Sequence, residues 1–449
     1  MIATDSQIQA ANFGTAEIRE IFSDRAWMQH MLDFEAALAR VEARLGIIPS
    51  SAVQAIASAA RVENLDVVAI MRSTQLVGYP VVELTRQLAA RAGADAARYV
   101  HLGATTQDVL DTATVLQIRA AMAIVRRDVI VIAKSLARRA RQYRDTPMAG
   151  RAHLQHAVPI TFGYKCAIWA EPLVAHVDRI DQAMARVAVV QFGGAAGTLA
   201  SLGEKGVEVM EALAHELDLG APTTPWHVSR AAFAEIASVL SMVCGSIGKI
   251  ANDVILLSQS EIGEVAEEHE ESRGSSSTMP QKRNPIASEF VLAAVRGVHA
   301  LAPMMFAAMI PEHERSTSSW QSEPLAFPQM FVLAAGALER TISIVDNMVP
   351  DAQRMRRNLE SNHGLIMAEA LATRLTAALG RAGAHGIVER VCGLAIERGR
   401  ALADVAREDR EVRAHLSEAE ITQALDPTSY TGSSGALVDR VCARVDAMR

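Results

Sequence analysis

One stretch of the sequence places hydroxyl, amine and amide side chains close together. Residues 273–285 read Arg-Gly-Ser-Ser-Ser-Thr-Met-Pro-Gln-Lys-Arg-Asn-Pro, so three serines and a threonine precede Lys282 and Asn284. Proline suits a helix start, where free backbone amides favour anions. A Ser/Gly-rich stretch is ordinarily a polar surface loop. Lysine is scarce, however, and Lys282 is one of only five in the chain, so the stretch is a candidate for anion binding.

A second candidate is the histidine pair in residues 150–156, which read Gly-Arg-Ala-His-Leu-Gln-His. His153 and His156 are three residues apart and would share one face of a helix. A metal site needs further ligands, and the sequence has no carboxylate or third histidine nearby and no HExxH motif. We therefore predict no metal. His156 suits a buried structural role, whereas His153 suits general acid–base or carboxylate-orienting work, because imidazole as a side-chain type titrates near neutral pH.

Long helices must position these segments. Apolar residues recur at alternating spacings of three and four over 115–136, 173–187 and 233–257, and this spacing keeps them on one stripe of an α-helix. The third stripe predicts a rod of roughly 36 Å. A fourth helix is predicted from about 328 to 345. Such stripes are typical of helical bundles, in which they need burial against other helices.

The composition agrees with a helical protein. Half of the 449 residues are hydrophobic but only 4% are aromatic, and Ala and Leu favour helix whereas sheets use aromatic and β-branched residues. We predict an all-α chain with three helical domains, at residues 1–108, 109–349 and 350–449. The middle domain would be a central bundle of long helices, and it would carry a catalytic loop at 270–285.

Charge and cysteine usage exclude several classes of protein. The net charge is −7 without a Lys/Arg-rich block, which argues against nucleic acid as the main partner. The longest stretch without a charged residue has 17 residues and four glycines, too short and too polar for a membrane span. The four cysteines form no CxxC motif, and the N-terminal residues resemble no signal peptide. We therefore expect a cytoplasmic protein.

The pattern Ser-Ser-x-Met-Pro-x-Lys-x-Asn-Pro at 276–285 resembles the signature loop of the fumarase/aspartase superfamily. The resemblance implies that Ser276 is the catalytic base and that Lys282 and Asn284 contact a substrate carboxylate. The family usually has glycine before the serine pair, and this chain has Ser275 there, with Gly274 one position earlier. Ser275 therefore remains an alternative as the reactive hydroxyl.

Further segments match the family in the expected order. The Thr-Thr-Gln-Asp turn resembles its Thr-Ser-x-Asp turn, and the resemblance implies that Thr105 and Thr106 bind a carboxylate. Taken alone, such a turn more often caps a helix. The Ala-His-Leu-Gln run resembles the family's Thr-His-x-Gln segment, so His153 and Gln155 take the histidine and glutamine positions. Arg315 is a further cation suited to binding substrate.

The resemblance implies proton transfer at a carbon next to a carboxylate. The carboxylate then becomes an enediolate, which cations and oriented donors stabilise, and no metal or organic cofactor is needed. Serine is rarely ionised at neutral pH. We therefore expect closure of loop 270–285 to bring Ser276 into a dry pocket near Lys282 and helix amides, lowering its pKa. The resemblance also implies a homotetramer whose active sites combine three subunits.

Overall the sequence looks most like the bacterial 3-carboxy-cis,cis-muconate cycloisomerase branch. The leading expectation is conversion of 3-carboxy-cis,cis-muconate to 4-carboxymuconolactone. Elimination or epimerisation on another small polycarboxylate, such as an N-substituted aspartate like iminodisuccinate, stays open because of Ala231 and the hydroxyl-rich run at 316–319. Adenylosuccinate lyase is less similar, because residues 73–88 lack a histidine that its family uses. A helical scaffold without activity is the third class.

Overall fold

The computed structural model describes residues 6–268 and 274–448, which are mainly α-helical. The shorter helices before residue 106 are α1 (Gln7–Ala10), α2 (Ala16–Ile21), α3 (Asp24–Arg44), α4 (Ser50–Ala59), α5 (Val67–Val77), α6 (Val81–Ala92) and α7 (Ala94–Ala97). The next are α8 (Thr106–Gln142), α9 (Phe162–Val187), α10 (Gly206–Glu216), α11 (Ala231–Leu257), α12 (Ile286–Ala307) and α13 (Ser319–Asn347). The last are α14 (Ala352–Glu360), α15 (Ala368–Arg398), α16 (Leu402–Glu408), α17 (Arg410–His415), α18 (Glu418–Ala424) and α19 (Ser434–Asp446). This order confirms the all-α prediction.

Two small antiparallel strand pairs interrupt the helices. Strands β1 (Pro147–Ala152) and β2 (Gln155–Thr161) form a hairpin, and β3 (Val265–Ala266) pairs with β4 (Val349–Pro350). Short 3-10 turns lie at Val62–Asn64, Ala200–Lys205, Leu365–Met367 and Pro427–Ser429. The β1–β2 hairpin carries two of the candidate site residues, His153 and Gln155.

The apolar stripes predict the long helices correctly. The first stripe lies on α8, and all of its members are fully buried: Val115, Ile118, Met122, Val125, Val129, Ile132 and Leu136. On α11 the eight stripe residues from Phe233 to Leu257 are at most 3% exposed. The fourth predicted helix is present as α13, which begins earlier than expected, at Ser319.

Two helices in the described part, α11 and α12, are long and apolar enough to cross a membrane by length and composition alone. Buried helices of a soluble bundle have the same composition. The most apolar stretch of α11 is 56% buried within the chain, whereas that of α12 is only 33% buried. Helix α12 therefore leaves apolar surface that the described chain does not cover.

The contacts between residues divide the chain into two compact units. The first contains residues 1–129, 176–245 and 293–339, and the second contains 130–175, 246–292 and 340–449. The first unit has a core of helices α3, α4, α6 and α10, with Phe34 among its fully buried side chains. A core in the second unit lies among helices α15 to α18. The three-domain division remains a prediction.

Candidate active site

The signature loop closes on itself through its backbone. The amide of Asn284 donates to the carbonyl of Gly274 at 2.9 Å, and Ser275 pairs with Arg283 as an isolated antiparallel bridge. Gly274 has φ of +62°, and a Cβ there would lie 2.3 Å from the carbonyl oxygen of Asn284. Only glycine fits this approach. Arg273 and the rest of 269–273 lie outside the described residues.

Ser276 lies half-buried within this loop. Its Oγ accepts hydrogen bonds from the backbone amides of Met279, at 3.1 Å, and Thr278, at 3.4 Å. Donors that point at a hydroxyl oxygen favour its ionised form. In the same loop Lys282 is exposed and Asn284 is half-buried. The loop therefore offers an oxygen with two amide donors and, a few residues later, an ammonium and an amide side chain.

The first amides of α12 are not free to bind a ligand. Glu267 accepts hydrogen bonds from the amides of Ala287 and Ser288, at 3.1 and 2.8 Å, and from the Ser288 hydroxyl at 2.7 Å. The expectation of free helix amides beside Ser276 was wrong for these two groups, because a carboxylate of the chain itself caps the helix. Glu267 thereby joins the two ends of the signature loop.

His153 and Gln155 lie on the β1–β2 hairpin, so the expected helix face for His153 and His156 is wrong. Ala152 pairs with Gln155, and the tip between them consists of His153 and Leu154, with φ of +51° and +64°. Two left-handed residues form the tight turn that suits twisted hairpins. His153 and Gln155 are exposed at this tip. Burial, followed by the charge of Arg151, lowers the pKa of His156.

An ion pair supports the hairpin. Arg151 donates twice to Glu264, at 2.7 and 2.9 Å, and the Glu264 side chain is fully buried. Asn358 of α14 donates to the same carboxylate at 2.7 Å. Glu264 is three residues before Glu267, the cap of α12. A single short segment therefore holds both the hairpin of His153 and the loop of Ser276, and both belong to the second unit.

In the first unit, the Thr-Thr-Gln-Asp turn lies at the start of α8, as predicted from the sequence. The carboxylate of Asp108 accepts from the amide of Thr105 at 3.1 Å, and Thr105 and Thr106 are half-buried. The same carboxylate accepts from the amides of Gly193 and Gly194, at 3.1 and 2.9 Å. Burial raises the pKa of Asp108 to about 6, against the lowering effect of these hydrogen bonds. Asp108 thus fixes the turn to a distant glycine loop.

Arg315 lies beside this turn. Its guanidinium donates to the carbonyls of Gly194 and Ala195, at 3.1 and 2.9 Å, and to the side chain of Gln107, the residue after Thr106. Arginine has five N–H donors, so donors remain for a ligand. The structure therefore brings Arg315 together with the Thr105–Thr106 turn.

A buried charge network that was not predicted from the sequence surrounds Arg230 and contacts the first turns of α8. Arg230 is 2% exposed and donates to Asp111 of α8 at 2.7 Å and to Glu323 of α13 at 2.7 Å. The indole of Trp320 donates to Asp111 at 2.9 Å. Burial raises the pKa of Glu323, although Arg230 opposes this. A sequence signal existed, because Asp111 is four residues before Val115 and so lies on the same face of α8 as the buried stripe.

Within the first unit the chain therefore assembles Thr105, Thr106 and Arg315. The second unit carries His153, Gln155, Ser276, Lys282 and Asn284. Within the described residues, no group of three or more His, Cys, Asp or Glu side chains is arranged to hold a metal ion. The groups present suit binding of carboxylates and proton transfer.

Comparison with known proteins identifies the family of this chain. Residues 12–299 match the family described as Lyase, and residues 364–441 match the one described as Adenylosuccinate lyase C-terminus. The chain belongs to the lyase family of the fumarase/aspartase superfamily.

Its relatives include 3-carboxy-cis,cis-muconate cycloisomerase of Pseudomonas aeruginosa, 45% identical over 99% of this chain and 97% of the relative. Nitrosuccinate lyase of Streptomyces davaonensis is 42% identical over 94% of this chain and 92% of the relative. The crystal structure of 3-carboxy-cis,cis-muconate lactonizing enzyme from Pseudomonas putida superposes with a TM-score of 0.93 and 42% identity. That match covers 98% of this chain and 99% of that one.

Proposed function

We propose that the chain is a cycloisomerase that converts 3-carboxy-cis,cis-muconate to 4-carboxymuconolactone. The observation that carries this proposal is the 45% identity to a cycloisomerase over nearly the whole chain. The reaction is an isomerisation without cofactor. A substrate carboxylate oxygen forms a C–O bond to one alkene carbon, and the electron pair of the double bond moves towards the carbon next to another carboxylate. That carbon then takes one proton.

The residues suit each part of this reaction. Lys282 and Asn284 would bind the carboxylate that becomes an enediolate, because a cation and an amide donor stabilise developing negative charge. Ser276 would transfer the proton at the carbon next to this carboxylate. The amides of Met279 and Thr278, which donate to its Oγ, would stabilise the ionised hydroxyl. His153 would act as acid–base or orienting group, beside Gln155 as a substrate contact.

The remaining assigned residues would bind the other carboxylates of the substrate. The hydroxyls of Thr105 and Thr106 are suitable donors, and Arg315 would add a fixed positive charge held by its carbonyl partners. This division matches a substrate with several carboxylates, each of which needs its own donors.

Ultraviolet assays with three substrates test the proposal. We expect loss of the diene absorbance with 3-carboxy-cis,cis-muconate and no turnover of adenylosuccinate or of fumarate with added amines. Turnover of either of those substrates at a higher kcat/KM than the muconate would refute it.

Elimination from another small polycarboxylate is the second candidate, because nitrosuccinate lyase is nearly as similar as the cycloisomerases. The hydroxyl-rich run gives it less support than the sequence suggests. Ser316 Oγ donates to Glu312 and accepts from the amide of Trp320, and Ser319 Oγ donates to the carbonyl of Ile310. These hydroxyls stabilise the start of α13. Release of an amine or nitrite from a substituted succinate, without muconate turnover, would establish this candidate.

The proposal includes a homotetramer in the cytoplasm with shared active sites. Its physical support is apolar surface on the first unit, where Phe306, Met309, Ile310 and Leu325 are exposed, Ile310 by 77%. Apolar surface of this kind marks interaction sites. Light scattering after size exclusion should give about four times the 48.2 kDa of one chain. An active species of 48.2 kDa would contradict it.

A further inference from the structure

A histidine lies four residues before the Thr105–Thr106 turn. His101 is in the connection between α7 and α8, and its φ of +62° places it in the left-handed region. Its Nδ1 lies 2.6 Å from Oε1 of Glu35 on α3, and the Glu35 side chain is 1% exposed. A distance this short is typical of a charge-assisted hydrogen bond. The ring orientation is therefore set by a buried carboxylate.

The surroundings of Glu35 favour a positive charge on His101. Glu42, two helical turns further along α3, is fully buried, and neither of its carboxylate oxygens has a hydrogen-bond partner among the described residues. Burial, with the charge of Glu35, raises the pKa of Glu42 to about 8, so Glu42 is mainly neutral at pH 7. Glu35 is the member of this pair that has a hydrogen-bond partner, and a buried carboxylate favours a cation beside it.

Two charged groups face the imidazole, Glu35 from α3 and Asp108 from the first turn of α8. Burial alone would lower the pKa of His101, but the charge and hydrogen bond of Glu35, with the charge of Asp108, outweigh burial and raise it. Asp108 is the residue whose carboxylate binds the amide of Thr105. His101 is thus close to the same turn that carries the candidate carboxylate-binding hydroxyls.

The second ring nitrogen is available for a ligand. The His101 side chain is 25% exposed, and Nε2 makes no hydrogen bond within the part of the chain that is described. An imidazolium donates from both nitrogens. We propose that His101 binds a substrate carboxylate through Nε2–H and that Glu35 is the positioning residue that fixes its ring. This proposal rests on the proposed function, which supplies a polycarboxylate substrate.

Two substitutions separate binding from a merely structural role. In H101Q the amide can still donate to Glu35 but carries no charge. In E35Q the acceptor oxygen remains but its charge is lost. Glu42→Gln is the matched control on the same helix, because it replaces a carboxyl that is already neutral at pH 7 with a neutral group. Thermal melting followed by circular dichroism establishes that each variant is folded.

The first measurement is binding of tricarballylate, a saturated tricarboxylate, by isothermal titration calorimetry. We expect H101Q to raise its Kd about 10-fold to 100-fold, the range for loss of a hydrogen bond to a charged group. E42Q should bind like the wild type. Unchanged Kd in H101Q and E35Q, or no binding by the wild type, would overturn the proposal.

The second measurement is the pH dependence of kcat/KM with 3-carboxy-cis,cis-muconate. Binding by an imidazolium is lost as pH rises through its pKa, so the wild type should show an alkaline limb that H101Q lacks. E35Q should move that limb to lower pH, because the charge that raises the pKa of His101 is gone. An alkaline limb unaltered in both variants would overturn the proposal. Weakened tricarballylate binding in H101Q, with no muconate turnover by the wild type, would refute the proposed function and leave this inference standing.

Discussion

Replacement of Glu267 tests whether this carboxylate holds the signature loop. In Glu267→Ala the amides of Ala287 and Ser288 lose their acceptor, and so does the hydroxyl of the fully buried Ser288. Loss of a helix cap costs about 1 kcal/mol, the helix dipole adds about 0.5 kcal/mol, and an unsatisfied buried hydroxyl adds about 1 kcal/mol or more. We therefore expect the free energy of unfolding to fall by about 2–4 kcal/mol.

Activity should fall as well, because Asn284 is three residues before the capped amide of Ala287. A shift of about 1 Å in a positioned group costs about 100-fold in rate, so we expect kcat/KM to fall by about this factor. Glu267→Gln keeps one acceptor oxygen and should lie between the alanine variant and the wild type.

The measurements are urea unfolding followed at 222 nm, at one fixed protein concentration, and the diene assay. Glu268→Gln is the control, because the neighbouring carboxylate makes no hydrogen bond within the described residues and is exposed. An alanine variant at Glu267 with wild-type stability and wild-type kcat/KM would refute the idea that this cap positions the loop.

Three further predictions concern single groups. Ser276→Ala should lower kcat by about 1,000-fold or more with little change in KM, which is the signature of a group that acts in the transition state. Ser275→Ala should keep near-normal turnover. The reverse result would exchange the roles of the two serines. Arg230→Met should lower the free energy of unfolding by about 3–5 kcal/mol, because two buried carboxylates lose their cation. A decrease of less than about 1 kcal/mol in urea titrations would contradict a tightly paired network. Burial raises the pKa of Glu42 from 4.5 to about 8, so between these pH values the folded wild type holds a proton that the unfolded chain releases. The free energy of unfolding of the wild type should therefore fall by up to about 5 kcal/mol as pH rises from about 4.5 through about 8. Glu42→Gln should remove this decline, and parallel stability curves for the two proteins would show that Glu42 ionises normally.

The long helices follow from the sequence because their signal is local and repeated. On α8 every stripe residue from Val115 to Leu136 is fully buried, as a spacing of three and four requires. The contact between Asp108 and the amide of Thr105 was also within reach, since an acidic residue three positions after a helix start is a local motif. The attachment of Asp108 to Gly193 and Gly194 was not, because it joins residues 85 and 86 positions apart.

The hairpin of His153 shows where local reasoning fails. Short hairpin turns are usually recognised by Asn-Gly or Asp-Gly, and this tip has His153 and Leu154 instead. Without that signal, two histidines three apart were assigned to a helix. The helix cap by Glu267 was missed for another reason: the sequence indicates free amides at a helix start, but it does not indicate which distant carboxylate will occupy them.

The tip of that hairpin also has a consequence for protein engineering. Each left-handed residue other than glycine costs about 1 kcal/mol, and the tip has two in succession, the second a leucine that is 77% exposed. A selection for heat resistance alone should therefore replace Leu154 by glycine early. A selection that also demands turnover should retain leucine if a stiff tip, rather than a relaxed one, keeps His153 in its working orientation. Parallel evolution of the gene under the two regimes would measure how much folding stability the natural sequence gives up at one exposed position.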